Sequence, residues 1–557
     1  MKINKKILGG VAALSVASLV LAGCSSDDGD TTPESSASGS DGGTEASSTA
    51  VITTNGSEPQ NPLIPVATNE TGGGKIIDAL FAGLVYYDGD GAAHNEVAES
   101  IETEDNQTFT VTLEDGWTFT DGTPVMAHNF VDAWNWGADP ANAATALNSY
   151  FLEPIEGFDG YNEDEGASNP EMSGLEVVDD MTFTITLGAP NAEFPLALGY
   201  SAFYPLPDSF FDDPAAFGEN PVGNGIYMLE DPADWQHDIQ IELAVNPDYA
   251  GERVAQNGGL KITFYATQDA AYADLQGGNV DVIDGIPDSA FATFESDLGD
   301  RAVNQPAAIF QSFTIPASDE RFQGEAGLLR RQALSMAINR EEITDVLFQG
   351  TRTPASDFTS PVIDGWSDSI PGSEVLEYDP EGAAEKWAEA DAIEPWEGTF
   401  ELAYNADGGH QAWVDAVVNS IKNTLGIDAA GLPYPTFAEF RTDITGRTIE
   451  AAFRTGWQAD YPSLENFLGP LYYTDAGSND GDYSSDEFDT LIDEGKTAST
   501  PDEAITKFQE SQEVLFQDLP AIPLWYSNVT GGYSEGVENV VFDWHSVPLF
   551  YEITKSE

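Results

Sequence analysis

The chain has 557 residues, of which 41% are hydrophobic and 11% aromatic, so it can form a globular protein of about three or four domains at roughly 150 residues each. With 20 Lys and Arg against 96 Asp and Glu, and a formal net charge of −76 at pH 7, it lacks the basic face that nucleic acid requires. Acidity on this scale fits either a protein of concentrated salt, where charges are screened, or an ordinary acidic extracellular surface.

The amino-terminal segment has the pattern of a secretory signal. Lys2, Lys5 and Lys6 form a positive region, residues 7–22 form a short apolar run, and Cys24 follows small residues. Its end resembles a bacterial lipobox, which implies cleavage before Cys24 and diacylation of the sulfur. A transmembrane helix is the alternative, but the run is shorter than the roughly 20 apolar residues that span a bilayer.

The next segment predicts a flexible tether. Residues 24–50 consist almost entirely of Ser, Thr, Gly, Asp, Glu and Ala, which cannot bury a core. Cys24 is the only cysteine, so disulfides cannot stabilise the chain. We therefore expect a signal peptide at 1–23, a tether at 24–50, and a protein that is lipid-anchored at the extracellular face of a bacterial cell membrane.

Two segments predict equivalent strands of one antiparallel sheet. Residues 109–113 and 183–187 alternate apolar residues with threonine, as half-buried strands do. Between them, residues 121–124 (DGTP) predict a turn, and residues 128–136 predict a helix that follows it.

Three helices are predicted in the second half of the chain. Residues 328–348 carry an apolar side along their whole length. In residues 410–425, apolar side chains recur every four positions, and Gly426 ends the helix. A capping box that starts at Thr500 predicts a helix to about Asp518. The fold class is therefore α/β.

Motifs for enzymes and metal sites are weak. Residues 532–536 (GYSEG) match the nucleophile elbow of hydrolases, but a β-like run follows where that motif requires a helix. The five histidines show no zinc-site spacing, and no phosphate-binding loop is present in the sequence. We expect no enzyme activity, no cofactor and no metal; a secreted hydrolase that uses Ser534 is kept as an alternative.

Residues 454–461, which we call the RTGWQADY segment, are the most suggestive part of the chain. They place a cation, a glycine, an aromatic side chain and an anion close together. Such a segment can capture a zwitterion, because each end of the ligand meets an opposite charge.

Five segments in order resemble the extracellular solute-binding proteins of peptide and nickel ABC importers, family 5. They are residues 80–88 with 96–100 (LFAGLVYYD and EVAES), 121–127 (DGTPVMA), 223–227 (GNGIY), 331–340 (RQALSMAINR) and 519–524 (LPAIPL). Each segment is weak alone, but together they cover about residues 50–530. Within the family, the chain is most similar to oligopeptide-binding lipoproteins.

The resemblance implies a two-lobed periplasmic-binding-protein-like fold of type II, of the large peptide-binding class, which closes by hinge motion. The first lobe is expected from residues 51–81, 205–300 and 525–557. A small inserted domain is expected at 82–204, and the second lobe at 301–524.

The function implied is that of a receptor without chemistry of its own. It would capture oligopeptides between its lobes as a monomer and deliver them to the permease and ATPase subunits of an ABC importer. A nickel chelate, an opine or an oligosaccharide is the alternative ligand within this fold. Asp460 favours a ligand that bears an amine.

The RTGWQADY segment is similar to the ligand strand of oligopeptide-binding proteins. The resemblance implies that Asp460 pairs with the α-ammonium of a peptide and that Arg454 offsets carboxylate or backbone charge. The backbone of Gly456 and Gln458 would add ladder hydrogen bonds to the peptide, and Trp457 would line a side-chain pocket. The alternative is a structural ion pair between Asp460 and Arg454.

Residues 69–74 (NETGGG) lie where the other lobe of the family supplies a second strand beside the ligand. Their glycines permit close backbone approach, so Thr71, Gly72 and Gly73 are further candidates for ligand binding. An ordinary flexible loop is the alternative.

Overall fold

A computed structural model describes residues 49–158 and 171–556 of the chain. The predicted signal peptide, the lipidation site Cys24 and nearly all of the predicted tether lie outside the described residues. Among those residues, no helix combines the length and the apolar character needed to cross a membrane.

Strands and helices are interspersed along the described chain. The strands are β1 (Ile52–Gly56), β2 (Val85–Tyr87), β3 (Ala93–Asn95), β4 (Ala98–Thr103), β5 (Thr108–Leu113), β6 (Leu175–Asp179), β7 (Thr182–Thr186), β8 (Tyr227–Met228), β9 (Trp235–Gln236), β10 (Gln240–Val245), β11 (Gly259–Phe264), β12 (Val282–Ile283), β13 (Ala302–Thr314), β14 (Arg352–Pro354), β15 (Phe400–Asn405), β16 (Ala429–Tyr434), β17 (Ala452–Gln458), β18 (Ala521–Tyr533), β19 (Val537–Glu538) and β20 (Thr554–Lys555).

The helices vary widely in length. They are α1 (Thr71–Leu80), α2 (Ala127–Ala138), α3 (Phe194–Ala197), α4 (Pro214–Glu219), α5 (Gln268–Gln276), α6 (Phe294–Leu298), α7 (Gly324–Met336), α8 (Arg340–Val346), α9 (Pro380–Ile393), α10 (Gln411–Leu425), α11 (Phe437–Thr445), α12 (Glu465–Tyr472), α13 (Asp486–Lys496) and α14 (Pro501–Asp518).

A 12-stranded mixed sheet runs through the molecule, in the order β16-β15-β17-β13-β18-β12-β1-β11-β10-β8, with β14 beside β18 and β9 beside β10. The two longest strands, β13 and β18, are antiparallel neighbours at its middle. Two large hydrophobic cores flank this junction. One draws mainly on residues 52–262, and the other mainly on residues 308–526. The chain thus has a two-lobed α/β fold, while the domain boundaries given above stay a prediction.

The predicted strand pair is confirmed. Residues 109–113 lie in β5 and residues 183–187 overlap β7, which are neighbours in a four-stranded antiparallel sheet of order β4-β5-β7-β6. The turn at 121–124 is also present: Gly122 has a φ of +84°, and the Thr123 N–H donates to the Asp121 carboxylate at 2.9 Å. Helix α2 covers the predicted helix at 128–136.

The single helix predicted at 328–348 is wrong, because α7 ends at Met336 and α8 begins at Arg340. The Asn339 side chain accepts the Glu342 N–H at 3.2 Å and so caps a new helix. The Ala337 carbonyl is bound at 2.7 Å by the Ser420 hydroxyl, outside the helix. Tertiary contacts therefore interrupt an apolar pattern that is continuous in sequence.

The other two helices follow their local signals. Helix α10 ends at Gly426, which has a φ of +68° that favours glycine. Helix α14 begins with a proline, and the Thr500 hydroxyl accepts the Glu503 N–H at 3.3 Å.

Candidate functional site

The glycine-rich segment at 69–74 is not the strand or the flexible loop that the sequence suggested, because α1 begins at Thr71 and only Asn69 and Glu70 of this segment precede the helix. The Glu70 carboxylate accepts the N–H groups of Gly72 and Gly73 at 2.8 and 2.9 Å. An anion at this position is favoured by the free N–H groups and the positive end of the helix dipole. A Cβ on Gly72 would lie 2.4 Å from the Ser57 hydroxyl, so glycine lets the first turn pack closely against its neighbour.

Helix α1 is fixed at its other end by one of the segments that resemble the family. A Cβ on Gly225 would lie 2.5 Å from the Leu80 carbonyl carbon and from the Phe81 nitrogen. The side chain of Asn224 bonds both the N–H and the carbonyl of Ala82, each at 3.0 Å. These contacts hold the last turn of α1, which carries Asp78, in one position.

Strand β17 carries the first five residues of the RTGWQADY segment. It pairs with β13 along its length, with Gly456 opposite Gln311 and Gln458 opposite Ile309. On its other side, β15 pairs only with Ala452 and Phe453. Within the described ranges, the second edge of residues 454–458 therefore has no strand partner.

A cavity of about 290 Å³ lies where the end of β17 meets α1 and the segment before the carboxyl terminus; we call it the Asp460 cavity. Charged, aromatic and backbone groups from several elements face it. Its lining includes Thr71, Gly74, Lys75, Asp78, Tyr86, Tyr87, Tyr200, Tyr204, Arg253, Gln458, Asp460, Asp543, Trp544 and His545. Of the glycine-rich candidates, Thr71 faces this cavity, whereas Gly72 and Gly73 are buried residues of the first turn of α1 and do not line it.

Asp460 is held by Asn466, a residue that sequence reasoning missed. The Asp460 N–H donates to the Asn466 side-chain oxygen at 2.9 Å, and the Asn466 amide nitrogen lies 3.4 Å from the Asp460 carboxylate. The Trp457 indole donates to the same oxygen at 3.1 Å. Loss of water around Asp460 raises the pKa of its carboxyl to about 7, because few polar contacts replace hydration.

The cations that face this cavity already have partners. Lys75 pairs with Asp284. Arg253 binds both oxygens of Glu96 at 2.7 Å. Burial lowers the pKa of His545 to about 4, so its ring is neutral at pH 7.

Arg454 faces a second cavity of about 200 Å³, which Gly456 and Trp457 also line. Its guanidinium donates to the Asn405 side-chain oxygen at 2.9 and 2.6 Å and lies 5.3 Å from the Phe437 ring centre. Among the described residues, Arg454 and Asp460 do not pair with each other. The structure thus groups Arg454, Gly456 and Trp457 at one cavity, and Asp460 and Gln458 at the other.

The structure does not support the alternative of a hydrolase that uses Ser534, because Ser534 is not placed beside His545. The Ser534 hydroxyl lies 3.5 Å from the Asp281 carboxylate. His545, the histidine that the elbow would need, faces the Asp460 cavity, where its carbonyl accepts from the Gln458 amide at 3.2 Å.

Comparison with known proteins gives consistent results. Residues 92–479 match the family described as bacterial extracellular solute-binding proteins, family 5 Middle. The oligopeptide-binding protein OppA of Bacillus subtilis is 23% identical over 499 residues, which is 86% of this chain and 88% of OppA. The periplasmic oligopeptide-binding protein OppA of Salmonella typhimurium is 27% identical over 501 residues, which is 86% of this chain and 87% of that protein.

Two solved structures share the fold. The Escherichia coli murein tripeptide binding protein MppA superimposes with a TM-score of 0.73 at 20% identity, over 92% of this chain and 99% of MppA. Haemophilus influenzae OppA in complex with RPPGFSPFR gives a TM-score of 0.72 at 22% identity, over 92% of this chain and 99% of that chain.

Proposed function

Because this chain belongs to the bacterial extracellular solute-binding proteins of family 5, a family of binding proteins and not of enzymes, we propose that it captures oligopeptides and delivers them to the permease of an ABC importer. The observation that carries the proposal is Asp460, a desolvated carboxylate that faces a cavity next to an unpaired strand edge. The relatives named as oligopeptide-binding proteins support this ligand class.

The carboxylate of Asp460 is suited to the α-ammonium of a peptide. No cation of the described residues forms a salt bridge with it, so its charged form lacks compensation in the free protein. A peptide ammonium group supplies the missing positive charge and forms a short, charge-assisted hydrogen bond with the carboxylate. An N-acetylated peptide has no such charge and leaves the carboxylate desolvated and unpaired, which is costly.

The backbone of β17 is suited to the rest of the peptide. The unpaired edge at residues 454–458 offers N–H and carbonyl groups to an extended chain, which would bind as an added strand. Gly456 is exposed at this edge, so the ligand can approach the backbone closely. A receptor that binds the peptide backbone tolerates many side chains.

Arg454 marks the other end of the proposed ligand path. It lies six residues before Asp460, or about 20 Å of extended chain, so a ligand that contacts both must be several residues long. The guanidinium is held by Asn405 and stacks on Phe437, which orients it for a peptide carboxylate.

The membrane anchor is part of the same proposal. Lipidation of Cys24 would hold the protein at the extracellular face, and the tether at 24–50 would leave it free to reach the permease.

Two measurements test the proposal on the purified full chain. Native mass spectrometry is expected to show a ladder of co-purified peptide masses, and calorimetry is expected to show binding of a free peptide but not of its N-acetylated form. Asp460→Asn should weaken peptide binding by about tenfold or more without unfolding the protein. Asp180→Asn, which removes an exposed carboxylate that lines neither cavity, is the control. Equal binding of the free and acetylated peptides would contradict the proposed amine site.

A further inference from the structure

The Asp460 cavity contains more negative charge than one peptide ammonium can balance. Besides Asp460, the carboxylates of Asp78 and Asp543 face it. Among the described residues, no cation forms a salt bridge with any of these three groups. The nearby Lys75 and Arg253 are engaged elsewhere, with Asp284 and Glu96.

The Asp78 carboxylate is open to the cavity. It is on the last turn of α1, and its one protein hydrogen bond among the described residues comes from the Tyr204 hydroxyl at 3.3 Å. Protein surrounds the cavity and reduces hydration there, which raises the pKa of Asp78 to about 6, although Arg253 opposes that shift.

Only one oxygen of the Asp543 carboxylate accepts hydrogen bonds from the described residues. One of its oxygens accepts the backbone N–H groups of His545 and Val547 at 2.9 and 2.8 Å, and the other oxygen accepts no hydrogen bond from the described residues. Burial, and to a smaller extent the charge of Asp78, raise the pKa of Asp543 to about 7. The two carboxylates therefore lie within electrostatic reach of each other.

We propose that Asp78 and Asp543 form a second cation subsite, which makes the protein prefer peptides that carry a basic side chain near their amino end. The inference rests on the proposed function, in which Asp460 binds the α-ammonium. One ammonium neutralises one of three carboxylates, so a ligand with a second positive group leaves fewer carboxylates without an ionic partner.

The surroundings of these carboxylates suit the stem of a lysine or arginine side chain. Tyr86, Tyr87, Tyr200 and Trp544 also line the cavity. Aromatic rings pack against the methylene groups of a long basic side chain and attract its cationic end. Tyr200 shares the lining of the cavity with Asp460 and Asp78, so this ring lies near both proposed cation positions. Its pKa is raised chiefly by burial and then by the charge of Asp460.

The proposed preference is distinct from the general acidity of the protein. A net charge of −76 attracts any cationic peptide, but salt screens this long-range effect. A subsite inside a cavity discriminates between matched ligands, and it does so at high salt as well.

The test uses two hexapeptides that differ by one charge, lysine followed by five alanines and norleucine followed by five alanines, because about six extended residues span the path from Asp460 to Arg454. Binding to the ligand-stripped full chain is measured by calorimetry at low and high salt. The wild type is expected to bind the lysine peptide about tenfold more tightly, or by about 1.4 kcal/mol. The double substitution Asp78→Asn and Asp543→Asn should abolish this preference, so that the variant binds the two peptides with equal affinity. If the double variant does not fold, the single variant Asp78→Asn replaces it in the test. This substitution removes a carboxylate with one weak hydrogen-bond partner and should reduce the preference for the lysine peptide.

The matched control is Glu102→Gln with Glu176→Gln, which makes the same change in net charge on the exposed face of the four-stranded sheet. This variant should keep the full preference. Three outcomes would overturn the subsite and leave the proposed function standing. The wild type could bind the norleucine peptide as tightly as the lysine peptide, the double variant could retain the preference for lysine, or the control could lose that preference to the same extent as the double variant. Failure of the wild type to bind either peptide overturns both the subsite and the proposed function.

Discussion

Arg454 and Asp460 belong to one short segment, yet the structure directs them to different cavities. Arg454 lies on β17 beside Asn405, and Asp460 lies just beyond the strand beside Asn466. A cation and an anion this close in sequence could have neutralised each other, and the strand instead keeps them apart. This separation is the basis for assigning Asp460 and Arg454 to opposite ends of the proposed ligand.

We expect Arg454→Gln to remove discrimination between peptide acids and peptide amides. The wild type should bind a peptide with a free carboxyl terminus more tightly than its amide, by about tenfold, because the guanidinium makes a charge-assisted bond to the carboxylate. The variant should bind both forms with equal, reduced affinity in calorimetry. Lys261→Gln makes the same charge change on β11 at a residue that lines neither cavity, and should behave as the wild type. Discrimination that survives Arg454→Gln would assign the carboxyl terminus to another group.

Peptide affinity should rise with pH from about 6 to about 7.5. In the free protein the pKa of Asp460 is raised to about 7, so part of the population is protonated at neutral pH and must lose that proton to pair with an ammonium. Bound ammonium favours the charged carboxylate and lowers its pKa, so binding releases a proton in this range. Deprotonation of the peptide amine, with a pKa near 8, limits the rise.

Calorimetry in buffers of different ionisation enthalpy measures the released proton directly. Asp460→Asn should remove much of the pH dependence, with a remainder from Asp543, whose pKa is also raised to about 7. An affinity that is flat or falls from pH 6 to pH 7 would contradict a charged Asp460 in the complex.

Local signals predicted local structure well. Alternation gave β5 and β7, and Gly426 and Thr500 marked where α10 ends and α14 begins. Five ordered motifs predicted the family, and the family match over residues 92–479 confirms it.

Other features depend on contacts that are remote in sequence. The break between α7 and α8 depends on Ser420, and the helix at the glycine run depends on the carboxylate of Glu70. Asp78 and Asp543 line the same cavity although most of the chain separates them in sequence, and no sequence motif indicates that they lie together. The sequence therefore indicated Thr71, Gln458 and Asp460, which line the cavity, but not Asp78 and Asp543, and the binding roles of all these residues stay predictions.

Gly225→Ala should destabilise the protein by about 1–3 kcal/mol, as overpacking does. Its Cβ would meet backbone atoms of Leu80 and Phe81 at 2.5 Å, and backbone cannot move aside cheaply. Gly74→Ala is the matched control, because nothing lies within 4 Å of its Cβ and the residue is in a helix. Thermal unfolding should show a lower midpoint for the first variant and an unchanged or higher midpoint for the second. Equal midpoints would mean that α1 and its neighbour can separate without cost.

Glu193→Ala should accelerate ligand release although Glu193 lines neither cavity. Its carboxylate accepts the Ser463 hydroxyl at 2.7 Å, and the adjacent Ala192 N–H donates to the Lys496 carbonyl at 2.6 Å. These bonds join the predicted inserted domain to the predicted second lobe, so they stabilise the arrangement in which the cavity is enclosed. A bond of this kind contributes about 1 kcal/mol, or about a fivefold change in rate.

Stopped-flow displacement of a fluorescent peptide measures the release rate, and Glu104→Ala, which removes an exposed carboxylate, should leave it unchanged. The thermal midpoint of the ligand-free Glu193→Ala protein should change little. Burial disfavours the charged form of Glu193, as its raised pKa indicates, so removing the carboxyl relieves this desolvation cost and offsets the lost hydrogen bond. An unchanged release rate would mean that the contact between Glu193 and Ser463 contributes nothing to the enclosed state.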